Sequence, residues 1–159
     1  MMKARTALLI TTAAALFVGA FENTAHAKQA IWKKMQYWTV LGDPAIPYCD
    51  AFSTFKDGTV IHFGVSTSGW TMILQGVQSQ VGSKYSVGMA TQKTAGVMYG
   101  EGAGDNTVVF HQLELETIVN MALTPKLAIV GLGNFNMSGS KEAVLETAKC
   151  YKAMQGRDA

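Results

Sequence analysis

The chain has 159 residues and a formal net charge of +2; 48% of it is hydrophobic and 15% is charged. That balance argues against a nucleic-acid binder, which concentrates basic charge on one surface. The length suits one domain with a short extension.

The extension comes first. Lys3 and Arg5 give a basic start, and Ala7 to Ala20 is an almost unbroken run of small and apolar residues. Ala25-His26-Ala27 then supplies the small-x-small pattern that a signal peptidase cuts. Residues 1–27 therefore read as an export signal, with a mature chain starting at Lys28 in the periplasm or outside the cell. The apolar run is about 14 residues, short of the roughly 20 that a membrane span needs. No later segment has the length of a span candidate, so no stable membrane span is expected after cleavage. Residues 28–36 read as a flexible leader. Ile31 and Trp32 beside Lys33 and Lys34 would also suit a weak contact with lipid headgroups.

From Tyr37 the grammar is that of strands, and residues 37–155 read as one β-rich domain. Tyr37 to Leu41 is strand-like, and Gly42-Asp43-Pro44 stops it. Tyr48 to Phe55 and Thr59 to Ser66 flank Lys56-Asp57-Gly58, a hairpin signal because glycine accepts positive φ. Trp70 to Val77 and Tyr85 to Thr91 come next, and β-branched and aromatic residues dominate all these runs. Gly96 to Tyr99 reads as a further strand, Gly100, Gly102 and Gly104 as a flexible connection, and Thr107 to His111 as the next strand.

The period changes after Gln112. Leu115, Ile118, Val119 and Ala122 recur at three- and four-residue spacing, which predicts a short helix that Pro125 ends. Lys126 to Val130 and Asn134 to Met137 predict two short strands. Ser140 then has the chemistry of an N-cap, and Val144, Thr147, Ala148 and Tyr151 form the inward stripe of a last helix.

Cys49 and Cys150 are the two cysteines, an even count in an exported chain. One disulfide between them is the simplest reading, and two separate buried thiols are the alternative. The bridge would close a loop of about 100 residues, worth up to about 4–5 kcal/mol in the chain-entropy model.

Few groups offer chemistry. His62 and His111 fall on predicted strands without metal-ligand spacing; as cross-strand neighbours they would make a pH-sensitive pair. Glu101, Asp105 and Asn106 sit in a glycine-rich stretch that matches no EF-hand. Glu114 and Glu116, two apart on a helix, point in different directions, and no serine sits in a Gly-x-Ser-x-Gly elbow. No catalytic residue, metal site or cofactor is expected. Aromatic residues are too many on adjacent strands for all to face one core, so Tyr48, Phe52, Trp70 and Tyr85 are expected to include an exposed binding patch.

One stretch resembles a known family. Leu115 to Cys150 runs helix, short strand, Phe135-Asn136-Met137-Ser138-Gly139-Ser140, then a helix ending in cysteine. With Tyr37-Trp38-Thr39-Val40 ahead of Cys49, this is similar to the invasion-associated locus B proteins, small exported proteins of alphaproteobacteria. Members of that family usually carry additional cysteines, and this chain has two. The resemblance implies an exported β domain with a clamped final helix, and brings no catalytic residues.

The expected fold is α+β: a curved antiparallel sheet or partly closed barrel, with two helices in the C-terminal half, one disulfide-clamped to the sheet. The expected function is non-enzymatic binding of a protein or envelope component. The alternative is a small-ligand carrier, with an apolar pocket between sheet and C-terminal helix.

Overall fold

The computed structural model describes residues 29–43, 45–90 and 95–156. The export signal expected over residues 1–27 lies outside the described residues. Alternating apolar residues build most of the elements. In chain order these are β1 (Ala30–Lys34), β2 (Thr39–Asp43), β3 (Tyr48–Thr54), β4 (Val60–Ser66), β5 (Gly69–Gln75), β6 (Lys84–Ala90), β7 (Ala95–Gly104), β8 (Thr107–Leu113), α1 (Leu115–Leu123), β9 (Lys126–Val130), β10 (Gly133–Asn136) and α2 (Ser140–Gln155).

Ten strands among the described residues form one antiparallel sheet in the order β1-β2-β3-β4-β5-β8-β7-β6-β9-β10. The sheet is not closed: β1 and β10 are its two ends. The first five strands succeed one another as a meander. The chain then crosses the tip of the β7–β8 hairpin before turning back as β6. That crossing segment is bonded along its way. Val77 N–H donates to the Asn106 carbonyl at 3.1 Å, and Gln80 N–H donates to the Tyr85 hydroxyl at 2.9 Å.

One face of the sheet is the core. Cys49 and Ala51 of β3, Ile61, Phe63 and Val65 of β4, Met72 and Leu74 of β5, and Val108 and Phe110 of β8 are all buried on it. The period of two along each strand puts these residues on one side and their neighbours on the other. α2 packs across β2, β3 and β4 on this inner face, with α1 beside it. Burying a Phe- or Leu-sized side chain contributes about 1.5–3 kcal/mol, so this face holds the fold together. Trp38 stacks on Phe63, with centroids 5.5 Å apart, and its indole N–H donates to the Ser138 carbonyl at 2.9 Å. Phe55, just past β3, meets Phe135 of β10 edge-on at 6.1 Å, so the last strands curl back toward the β3–β4 turn.

Cys49 and Cys150 form the disulfide, with Cα atoms 6.1 Å apart. It ties α2 to β3 across 101 residues of chain.

Four expectations need correction. The leader is not a loose arm where it is described, because Ala30–Lys34 pairs with β2. Lys33 also reaches Glu142 and Glu146 of α2 at 3.2 and 3.3 Å. The glycine-rich stretch is strand rather than loop: β7 runs through Gly100 and Gly102, and the turn is Asp105-Asn106, both at positive φ. Those glycines serve close approach. A Cβ at Gly100 would sit 2.6 Å from the Phe110 ring, and one at Gly102 would overlap the Gln80 carbonyl. Ser140 is not the N-cap. Gly139, at φ +77°, takes that place, while the Ser140 hydroxyl is buried between the carbonyls of Met137 and Ala122 at 2.6 and 2.7 Å. The inward faces of the helices also rotate slightly: Met121 replaces Leu115 in α1, and Ala143, Cys150 and Met154 join Val144 and Thr147 in α2.

Candidate functional site

The outer face of the sheet carries what the core does not use. Register defines a row across it: Phe52 lies opposite His62, His62 opposite Ile73, and Ile73 opposite Val109. Val109 lies opposite Glu101, two residues from Tyr99, and Ser86 lies opposite both Tyr99 and Val130. Seven strands are crossed, about 29 Å at roughly 4.8 Å per strand spacing. Phe52, Ile73 and Val109 are half-buried. At the far end the side chains stand in solvent: Val97 is 56% exposed, Tyr99 65% and Val130 69%. Exposed apolar side chains grouped on one face, here on β7 and β9 with β6 between, are the kind of surface that marks a contact site.

A polar cluster is set into this band on β3, β4 and β5. His62 Nδ1 lies 2.7 Å from Asp50 Oδ2, and His62 Nε2 lies 3.2 Å from Gln75 Oε1. Asp50 is buried at 6% exposure, and its other oxygen, Oδ1, has no hydrogen-bond partner among the described residues. Aspartate is disfavoured in a strand interior, and an unpaired buried carboxylate oxygen costs free energy. Gly64, opposite Asp50, makes room for the Tyr48 ring; a Cβ there would lie 2.9 Å from the Tyr48 hydroxyl. Phe52 stacks on the imidazole at 5.9 Å.

These contacts set the titration of the cluster. Burial alone would lower the His62 pKa, but the hydrogen bond and charge of Asp50, with the Gln75 contact, outweigh it and raise the pKa above its ordinary value. Burial, then the Asp50 charge, pushes the Tyr48 phenol up, so it stays neutral.

The four aromatic residues expected to share a patch do not share a face. Tyr48 and Phe52 point outward and are half-buried. Trp70 and Tyr85 point inward, at 7% and 9% exposure, so they belong to the core. His62 and His111 are not neighbours either, since β5 lies between their strands. Tyr99, Val97 and Val130 take the exposed place instead. The sequence signal for them is weak, because an isolated valine or tyrosine looks the same on either face of a strand. Asp50, flanked by Cys49 and Ala51, is the better clue: a carboxylate inside an apolar strand needs a partner.

A second feature is a cleft of about 300 Å³ between the β3–β4 turn, the segment after β5 and the β9–β10 turn. Asp57, Gln78 and Asn134 line it above Phe135 and Leu132. It is open and mainly polar, and Asp57 Oδ1 already accepts from the Thr59 N–H at 2.9 Å. Among the described residues no group of three or more His, Cys, Asp or Glu side chains is placed to hold a metal ion. No family model matches this chain, and searches of curated proteins and of solved structures return no match.

Proposed function

We propose that this protein is a non-enzymatic domain, exported to the periplasm or secreted, that docks another protein or an envelope component on the outer face of its sheet. The observation that carries the reading is the exposed apolar end of the band: Val97 and Tyr99 on β7 and Val130 on β9, on either side of β6, whose Ser86 lies between Tyr99 and Val130. The buried disulfide suits an oxidising compartment. The resemblance of Leu115 to Cys150 to the invasion-associated locus B proteins fits the same compartment.

Two observations favour binding over the other classes. An Asp–His pair acts as a general base through the free imidazole nitrogen, which must reach a nucleophile or water; here that atom, Nε2, faces Gln75. A carrier would need an apolar pocket between the sheet and α2. Val40, Cys49, Ala51 and Phe63 are buried on that side of the sheet, as are Ala143, Val144, Thr147 and Cys150 of α2.

The test is capture from envelope extract with oxidised protein, comparing the natural chain with a Tyr99→Glu, Val130→Glu variant of unchanged circular dichroism. A retained set of partners that the variant loses supports the reading. Capture indifferent to both substitutions refutes it. N-terminal sequencing of the exported protein, with Lys28 as the first residue, checks the export half.

A further inference from the structure

Three side chains in the outer face, Asp50, His62 and Gln75, form one hydrogen-bonded chain that ends at the surface. His62 Nδ1 is 2.7 Å from Asp50 Oδ2, and a carboxylate only accepts, so Nδ1 carries a hydrogen. His62 Nε2 is 3.2 Å from the Gln75 side-chain amide; with the amide oxygen toward the ring, as here, Nε2 is the donor and carries a hydrogen too. That hydrogen-bond set is complete only for the imidazolium. When His62 is neutral, the Asp50 bond retains the Nδ1 hydrogen and Nε2 becomes a lone pair. A carbonyl oxygen against that lone pair is repulsive, whereas the same amide turned end for end donates N–H to it. Gln75 is exposed, so its amide is free to turn.

We propose that His62 protonation sets which end of the Gln75 amide faces solvent, so that the outer face shows a hydrogen-bond donor, the NH2, when His62 is charged and an acceptor, the C=O, when it is neutral. The band would then favour a partner presenting carboxylate or carbonyl oxygens at lower pH and one presenting N–H or O–H groups at higher pH. The device holds whether or not anything docks on the band.

The charged surroundings of His62 are few. From β3 it faces Asp50 and the Tyr48 phenol. β5 faces it with Ile73, Thr71 and Gln75, none of them charged. α2 packs on the opposite face of β4, and its charged residues, Lys141, Glu142, Glu146, Lys149 and Lys152, lie across the sheet from the cluster. Asp50 is therefore the ion that decides the transition. Because the folded pKa is raised, the stabilisation from the pair is full below the unfolded value of about 6.5. It is lost as pH rises through the folded pKa, so global stability should fall across that interval.

The test is an NMR titration of the oxidised protein, following the His62 ring nitrogens and the Gln75 side-chain NH2. The Gln75 signals should move with the same midpoint as His62. Gln75→Glu can only accept, so it should raise the His62 midpoint; Gln75→Leu removes a partner of both charge states and should move it much less than Gln75→Glu does. Asp50→Asn should lower it by about one pH unit or more. Should Asp50→Asn fail to fold, the two Gln75 variants, on an exposed side chain, still decide. Gln75 signals that stay flat through the His62 transition, or a midpoint unmoved by Gln75→Glu, overturn the proposal.

Discussion

Around β2, β3 and β4 the sheet is pinned from within by α2 and the Cys49–Cys150 bond, whereas β9 joins β6 through Ser86–Val130 and Val87–Ile129 alone. The first region buries its inner face under α2 and sets a hydrogen-bonded pair, Asp50 and His62, into its outer face, with Ile31, Tyr37 and Ile46 exposed at its margin. The second leaves Val97, Tyr99 and Val130 in solvent. The difference separates two roles. Residues of the clamped region hold the molecule together, while the exposed residues of the other contribute little to folding and are free to serve contact.

Three measurements put that contrast at risk. The largest effect lies where the regions agree, in the shared core. Phe63→Ala on β4 and Phe110→Ala on β8 should each cost about 3–5 kcal/mol in urea unfolding, since both rings are fully buried. A markedly smaller loss for Phe110 would mean that the second region has its own, looser core. Next comes the clamp. A Cys49→Ala, Cys150→Ala variant should lose about 2–4 kcal/mol. In native-state hydrogen exchange the loss should show first in α2 and β2–β4, and equal loss in the β6–β7 hairpin would erase the distinction between the two ends. The smallest effect is the most telling for function. Tyr99→Ser should change stability by no more than about 0.5 kcal/mol, as expected for an exposed side chain outside any network. A loss several times larger would show Tyr99 to be structural and remove the main support for a docking face.

The ion pairs that join β1 to α2 have less to say about stability. Lys33 is hydrogen-bonded to Glu142 and Glu146, which raises its pKa, and Lys149 and then Lys33 lower that of Glu146. Lys33 is partly exposed and Glu146 is half-buried at the edge of α2, and pairs so close to the surface contribute little. Their interest is positional. Pairing with β2 makes the expected loose leader an edge strand, Lys33 ties that strand to α2, and no local pattern in Ala30–Lys34 announces a partner more than a hundred positions away.

Much of the architecture is legible in the chain itself. Alternation places β3, β4, β5 and β9 within a residue or two, Lys56-Asp57-Gly58 turns as expected, and two cysteines in an exported-looking chain pair with each other. These are short-range or compositional facts, set by sterics, turn chemistry and redox setting. The tertiary structure decided which side of each strand met α2, and with it the fate of Tyr48, Phe52, Trp70 and Tyr85. It also made strand of Gly100 and Gly102, by bringing Phe110 and the Gln80 carbonyl against them, and joined Asp50, His62 and Gln75 on three strands. The reason is physical: a period of two says that successive side chains part company, but only the packing of distant segments says which of them is covered and which is left for another molecule to touch.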